Sequence, residues 1–148
     1  TYRDAKSPAL CPPYSSAKDP VNMAGFMIED LENRKVRQFH WKDVEDLPYD
    51  GSATLLDVRT AWEYQRGHLD GFRNIPLDDL REHLDELEQD KPVYVNCQTG
   101  LRSYLACRLL TQHGFTCAHL SGGYSFYQVV TQERQTTQST YPCGMEKL

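Results

Sequence analysis

"VYVNCQTGLRSYLACRLL", residues 93–110, sets a β-branched and aromatic run against a helix-like run, with one short turn between them. Pro92 opens the first part, a place proline can take at the start of a strand but not inside one. The second part reads as a helix, with Leu101, Leu105 and Leu109 as its core-facing stripe and Gly114 as its stop. Cys97 falls at the junction, last residue of the strand and first of the turn. Whether it is a reactive nucleophile or a packed thiol is the question on which function turns.

The sequence on either side repeats this alternation. "VRQFHW" reads as a short strand and "WKDVEDL" as a short helix, with Trp41, Val44 and Leu47 at spacings of three. "ATLLDV" is a near-continuous apolar run, the pattern of a strand buried on both faces. "AWEYQRG" gives a helical turn closed by Gly67, and "GFRNIPL" another extended piece. In "LDDLREHLDELEQD", Leu77, Leu80, Leu84 and Leu87 suggest one face of a helix whose first turn holds Asp78 and Asp79, where the dipole favours negative charge. "FTCAHL" reads as the last strand, and "GGYSFYQVVTQ" as a Gly-Gly turn followed by a helix. Five strands alternating with helices predict an α/β fold: a mostly parallel five-stranded sheet with helices on both faces.

The chain has 148 residues, 39% hydrophobic and 25% charged, the make-up of an ordinary globular domain. The alternating region occupies residues 35–130. Residues 1–34, with "SPALCPPYSSAKDP", read as a linker or flanking segment, joined to a weak helical pattern in Val21, Ala24, Phe26 and Met27. Residues 131–148 read as a polar tail without periodicity. A net charge of −5 speaks against a nucleic-acid binder, and no stretch approaches the roughly 20 apolar residues of a membrane span. There is no signal-peptide core. The first residue is Thr1, so the chain reads as processed or cut from something longer. Five cysteines, Cys11, Cys97, Cys107, Cys117 and Cys143, form an odd set without a Cys-x-x-Cys spacing. That predicts neither a disulfide framework nor a zinc site, and points to a reducing cytoplasm.

In an open α/β sheet, ligands bind beyond the carboxyl ends of the strands. Cys97 stands there, at the head of a helix. The N–H groups of Gln98, Thr99, Gly100, Leu101, Arg102 and Ser103 lack intrahelical partners in such a turn and can converge on an anion. Gly100 lets the backbone curl. The same field, with the Arg102 cation, lowers a thiol from its free pKa of about 8.5 and favours a thiolate exposed at the sheet edge. Arg102 can hold an oxyanion in a forked contact. An isolated strand-end cysteine is more often packed than reactive. The order strand, Cys, Gly, Arg, helix favours a nucleophile that accepts a group from an anionic donor.

These residues resemble rhodanese (thiosulfate sulfurtransferase-like) domains. That family carries a Cys-x-x-Gly-x-Arg-Ser loop, and this chain has "CQTGLRS". The upstream "LLDVRTAWEYQRGHLDGFRNIPL" matches the family with Asp57, Arg59, Glu63, Gly67, His68, Asn74 and Pro76, and "LSGGYSFY" resembles its Gly-Gly turn. Phe72 and Arg73 depart from the small residue that often precedes Asn-Ile-Pro, and Tyr127 stands where many members have Trp. The resemblance implies a persulfide on Cys97, formed from a small anionic sulfur donor and passed to a thiol or cyanide acceptor, with Gln98 to Ser103 binding the substrate. "PPYSSAKDPVNMAGF" is similar to the linker of coenzyme A-disulfide reductases that end in a rhodanese domain. On that likeness a covalently attached flavoprotein portion precedes the chain and holds FAD, NAD(P)H and coenzyme A. No G-x-G-x-x-G fingerprint occurs within the 148 residues, so no cofactor is expected in this chain.

Two other readings stand beside this one. The domain is a regulatory or docking module of a flavoprotein, or it is a small phosphatase. Cdc25-type phosphatases share the family's fold but place one more residue between Cys and Arg. The Cys-x4-Arg spacing of Cys97 and Arg102 favours sulfur over a phosphoryl group. Asp57, Arg59 and Glu63 read as an ion-pair network at the strand end rather than acid–base groups. His68 reads as a turn residue, and His113 and His119 as structural. Cys107 is expected to be packed and Cys117 half-buried, while Cys11 and Cys143 fall in exposed flanks. Trp41 and Trp62 are expected in or near the core. The acidic run after Leu77 reads as a solvated face.

Overall fold

Val93–Asn96, the strand that ends at Cys97, forms the middle of a five-stranded sheet in a computed structural model that describes residues 36–139, with Gly25 and Ile28, and side chains as far as Arg134. The strands are β1 (Arg37–Phe39), β2 (Thr54–Asp57), β3 (Arg73–Asn74), β4 (Val93–Asn96) and β5 (Cys117–Leu120), in spatial order β1-β5-β4-β2-β3. The helices are α1 (Ala61–Gln65), α2 (Leu101–Gln112) and α3 (Gly123–Ser139). β4 pairs in parallel with β2, Thr54 to Asp57 facing Val93 to Asn96, and with β5, Val93 to Val95 facing Cys117 to His119. β2 pairs in parallel with β3. The expected parallel α/β sheet with its helices is thus present. Parallel pairing aligns the carboxyl ends of β2 and β4, so Asp57 and Asn96 stand side by side and Cys97 follows at the same edge.

The chain divides into Thr1–Arg37 and Gln38–Leu148. In the first unit, Gly25 and Ile28 are helical, and Cys11 lies outside the described residues, as Cys143 does in the second. In the second unit, Phe39, Val44, Leu47, Leu55, Leu69, Phe72 and Leu120 form a buried cluster that Tyr94, Ala118, Tyr124 and Tyr127 flank. Each large apolar side chain buried this way contributes about 1.5–3 kcal/mol. Phe72 and Tyr127, which depart from the family pattern, belong to this packing.

Four local expectations give way. The leucine run after Pro76 is not an α-helix: successive turns close Asp79 onto Pro76, Leu80 onto Leu77, His83 onto Leu80 and Leu87 onto Leu84, with a 3-10 helix only at Leu84–Glu86. The spacings of three in Leu77/Leu80 and Leu84/Leu87 fit three residues per turn, and Leu80 and Leu87 are buried. Trp41–Asp46 is a 3-10 helix for the same reason. On α2 the buried stripe is Ser103, Tyr104, Ala106, Cys107 and Leu110, while Leu101 and Leu105 are 46% and 44% exposed. The strand–turn geometry decides which face docks, because Ser103 must reach back to Cys97. Cys117 is buried rather than half-buried, against α2, where its Sγ donates to the Cys107 carbonyl at 3.3 Å. α3 runs to Ser139, beyond the point where apolar periodicity stops, since Gln, Glu, Arg and Thr continue a helix without needing a core. Among the described residues no helix is long and apolar enough to cross a membrane, and no three His, Cys, Asp or Glu side chains are placed to hold a metal ion.

Phe72→Ala removes a ring that is 2% exposed and is expected to lower unfolding free energy by about 3–5 kcal/mol, read from urea midpoints. His119 is buried in β5, its Nε2 3.3 Å from Gln38 Nε2, and burial lowers its pKa to about 4. The unfolded chain takes up the proton near 6.5 while the folded chain stays neutral until about 4. Stability therefore falls as pH drops from 6.5 towards 4. Urea midpoints of wild type relative to His119→Gln are expected to decline across that window and to be flat above it.

Candidate active site

Gly100 sits at φ 107°, the left-handed region, and this turn aims its N–H back at the strand end, 3.0 Å from Cys97 Sγ. The Cys97 thiol in turn donates to Ser103 Oγ at 3.3 Å, and Ser103 Oγ donates to the Gly100 carbonyl at 3.0 Å. Leu101, Arg102 and Ser103 form the first turn of α2, whose N–H groups have no partners inside the helix. Cys97, Gly100 and Ser103 are thus brought together as a polar cradle around one sulfur. Leu101 points away into solvent.

The expected exposure of this thiol is not found: Cys97 is 0% exposed. A second glycine turn packs against the backbone of the same loop. The N–H groups of Tyr124 and Ser125, at the start of α3, donate to the carbonyls of Cys97 and Gln98 at 2.8 and 3.0 Å. A Cβ on Gly123 would stand 2.6 Å from the Cys97 carbonyl oxygen, so only glycine allows the two backbones to lie this close. The turn seals the loop from one side.

Beside it lies the ion-pair network at the ends of the strands. Arg59 is 2% exposed. Its Nε and Nη2 donate to the Asp57 carboxylate at 2.9–3.1 Å, Nη2 also to the Gly67 carbonyl at 2.8 Å, and Nη1 to Gln98 Oε1 at 3.0 Å. The guanidinium stacks over the Tyr124 ring, 4.3 Å from its centre. Asn74 donates to the carbonyls of Asp57 and Arg59, and Asn96 to Asp57 Oδ2. Gln98 completes the link by donating to Ser125 Oγ at 2.6 Å. Asp57, Arg59, Gly67 and Asn74, scattered in sequence, converge on the residue next to Cys97.

Glu63 is not part of that network. Its two carboxylate oxygens accept from Arg102 Nη1 and Nη2 at 2.8 and 2.6 Å. The fork expected to hold a substrate oxyanion is thus engaged by a side chain. Arg102's hydrogen bonds hold the Glu63 pKa at about 2, and Glu63 in turn raises that of Arg102. His68 stacks on Tyr64 at 3.8 Å and bonds its carbonyl, which fits a turn-supporting residue. Burial and a hydrogen bond with Cys117 push the Cys107 thiol far above the ordinary range, the hydrogen bond contributing more.

A cavity of about 440 Å³ opens against Gln98, lined also by Arg59, Trp62, Glu63, Gly67 and Tyr124. Trp62 is 64% exposed, not near the core, and carries Arg66 over its ring at 4.5 Å. Sequence reasoning did not find this wall. Trp62 lies on the short α1 and Arg66 just beyond it, with no apolar periodicity to give their direction, and only the fold brings Tyr124 of α3 to the loop.

A family model described as the Rhodanese-like domain matches residues 40–129. "Uncharacterized protein YqhL" of Bacillus subtilis is 44% identical over 73 residues, which are 49% of this chain and 58% of that protein. "Thiosulfate sulfurtransferase GlpE" of Shewanella oneidensis is 31% identical over 50% of this chain and 74% of that one. Among solved structures, reduced Bacillus anthracis CoADR-RHD is similar over 90% of this chain and 24% of its own, with 38% identity and a TM-score of 0.76. An NAD-dependent persulfide reductase from A. fulgidus is similar over 85% and 22%, with 32% identity and a TM-score of 0.65. The chain thus spans just over half the length of the first relative and about a quarter of either solved structure. Fold, loop and matched span agree: the chain belongs to the rhodanese-like domain family.

Proposed function

We propose that this domain moves sulfane sulfur and carries it as a persulfide on Cys97. The observation that supports it is the polar cradle: one sulfur, held by the Gly100 N–H and Ser103 Oγ at the head of α2, beside the Arg102 cation. Removal of the thiol proton leaves a thiolate already facing a hydrogen-bond donor and the positive end of a helix. With thiosulfate as donor, the thiolate attacks the outer, sulfane sulfur. A sulfur–sulfur bond forms to Cys97, the bond within thiosulfate breaks, and sulfite leaves with its electron pair. A thiolate or cyanide then attacks the outer sulfur of the persulfide, and the Cys97 thiolate is restored. Two displacements at one atom give ping-pong kinetics. The Gly100 N–H holds the charge in both half-reactions, and the Ser103 hydroxyl joins it by turning its hydrogen from the Gly100 carbonyl to the sulfur. The cavity beside Gln98 is the approach to the loop.

In the full-length protein, the domain is the C-terminal part of a coenzyme A-disulfide or persulfide reductase-type oxidoreductase. The supporting observation is the likeness over nine-tenths of the chain to a CoADR-RHD structure. FAD, NAD(P)H and coenzyme A then belong to the portion before Thr1. The residues here offer no Gly-rich dinucleotide loop, and no step is routed through those groups.

A second reading draws on the burial of Cys97: a docking module whose loop never turns over. Mass spectrometry separates the two. After thiosulfate or inorganic polysulfide, the wild type is expected to gain one sulfur that cyanide removes, and Cys97→Ser none. A wild type that gains none under both donors overturns the transfer reading. Gly123→Ala places a methyl group against the Cys97 and Gln98 backbone and is expected to cut the rate of persulfide formation at least about tenfold, since small misplacements of reacting groups cost that much or more.

A further inference from the structure

The Glu63–Arg102 pair joins two partners of unequal freedom. Glu63 is tied to its own helix start: Oε2 accepts from Thr60 N at 3.0 Å and from Thr60 Oγ1 at 2.9 Å, while Thr60 Oγ1 accepts from Glu63 N at 3.3 Å. This reciprocal cap at α1 fixes the carboxylate. Arg102 has no such tether on its tip. Its side chain is one-third exposed, its hydrogen bonds among the described residues go to Glu63, and its charge lies within electrostatic reach of Cys97 and Asp57. A carboxylate and the oxygens of thiosulfate present the same edge to a guanidinium: two acceptors, side by side, matched to two parallel N–H groups.

We propose that Glu63 parks the Arg102 fork and competes with the donor for it, so that Glu63 sets the preference between donors with an oxyanion head and donors without one. The proposal rests on the sulfurtransferase reading and deepens it. Glu63 is a positioning residue here, acting through Arg102 and not on the reacting sulfur. An oxyanion donor gains the fork only as Glu63 gives it up. A donor made of sulfur alone offers no paired oxygens and does not enter the competition. The low pKa of Glu63 keeps the competitor charged throughout the neutral range.

The test is steady-state sulfur transfer to cyanide with the 148-residue chain. Glu63→Gln keeps an acceptor at the third helical position, so the cap survives while the charge goes. This variant is expected to lower KM for thiosulfate about two- to five-fold, the range for a partly exposed ion pair, with the gain in KM rather than kcat. Inorganic polysulfide is expected to show no such gain. Arg102→Gln is expected to raise KM for thiosulfate, and adding Glu63→Gln to it to change nothing further. An unchanged or higher KM in Glu63→Gln overturns the proposal, as does a gain that persists without Arg102. A wild type that takes up no sulfur overturns the reading beneath it, and that result is read from the wild type alone.

Discussion

The working end of this sheet is organised by a guanidinium that water does not reach. Arg59 places its donors on Asp57, on the carbonyl at Gly67 and on Gln98, and so joins a strand end, a turn and the nucleophile loop through one planar group. Breaking such a buried pair from one side typically costs about 3–5 kcal/mol, because the other charge is left stranded. An apolar pair of equal volume need not cost stability at all. What it cannot replace is direction: Gln98 is orientated by Arg59 on one side and Ser125 on the other, and the backbone carrying Cys97 follows. The salt bridge is therefore best understood as a device for placing a loop.

The cradle and its cover pull in opposite directions. Polar contacts from Gly100 and Ser103 suit a sulfur that gains charge, yet that sulfur is closed off from solvent. The two features are compatible where the loop is held by few bonds that can be exchanged. Arg102 and Glu63 are partly exposed, while Asp57 and Arg59 are not. Rigidity thus sits beneath the loop and freedom at its rim.

Much of this was legible in the residues. The apolar run at Leu55 reads as a strand buried on both faces and that at Val93 as a β-branched and aromatic strand, and their alternation with helices points to a parallel sheet. The order Cys97, Gly100, Arg102, Ser103 placed the site at a strand's carboxyl end. Less legible was anything decided by direction. Leu101 and Leu105 look like a core stripe, but the tether of Ser103 to Cys97 turns α2 so that they face water. The leucines after Pro76 have a spacing that serves a helix or a chain of tight turns equally, and packing chose the latter. The partner of Arg102 lies 39 positions away on another helix, beyond the reach of any local pattern. The approach of Gly123 to the backbone of Cys97 and Gln98 is likewise announced by no neighbouring residue.

That approach ties loop size to helix placement. With the α3 backbone in direct contact with Cys97 and Gln98, the turn has no slack on that side. Lengthening it by a residue, as a wider anion cradle demands, would drive its peptide planes into the opening residues of α3. Conversion of this scaffold to a bulkier tetrahedral substrate thus calls for two coordinated edits, an insertion after Cys97 and a retreat of the glycine pair, and a graft of the loop alone meets a steric wall.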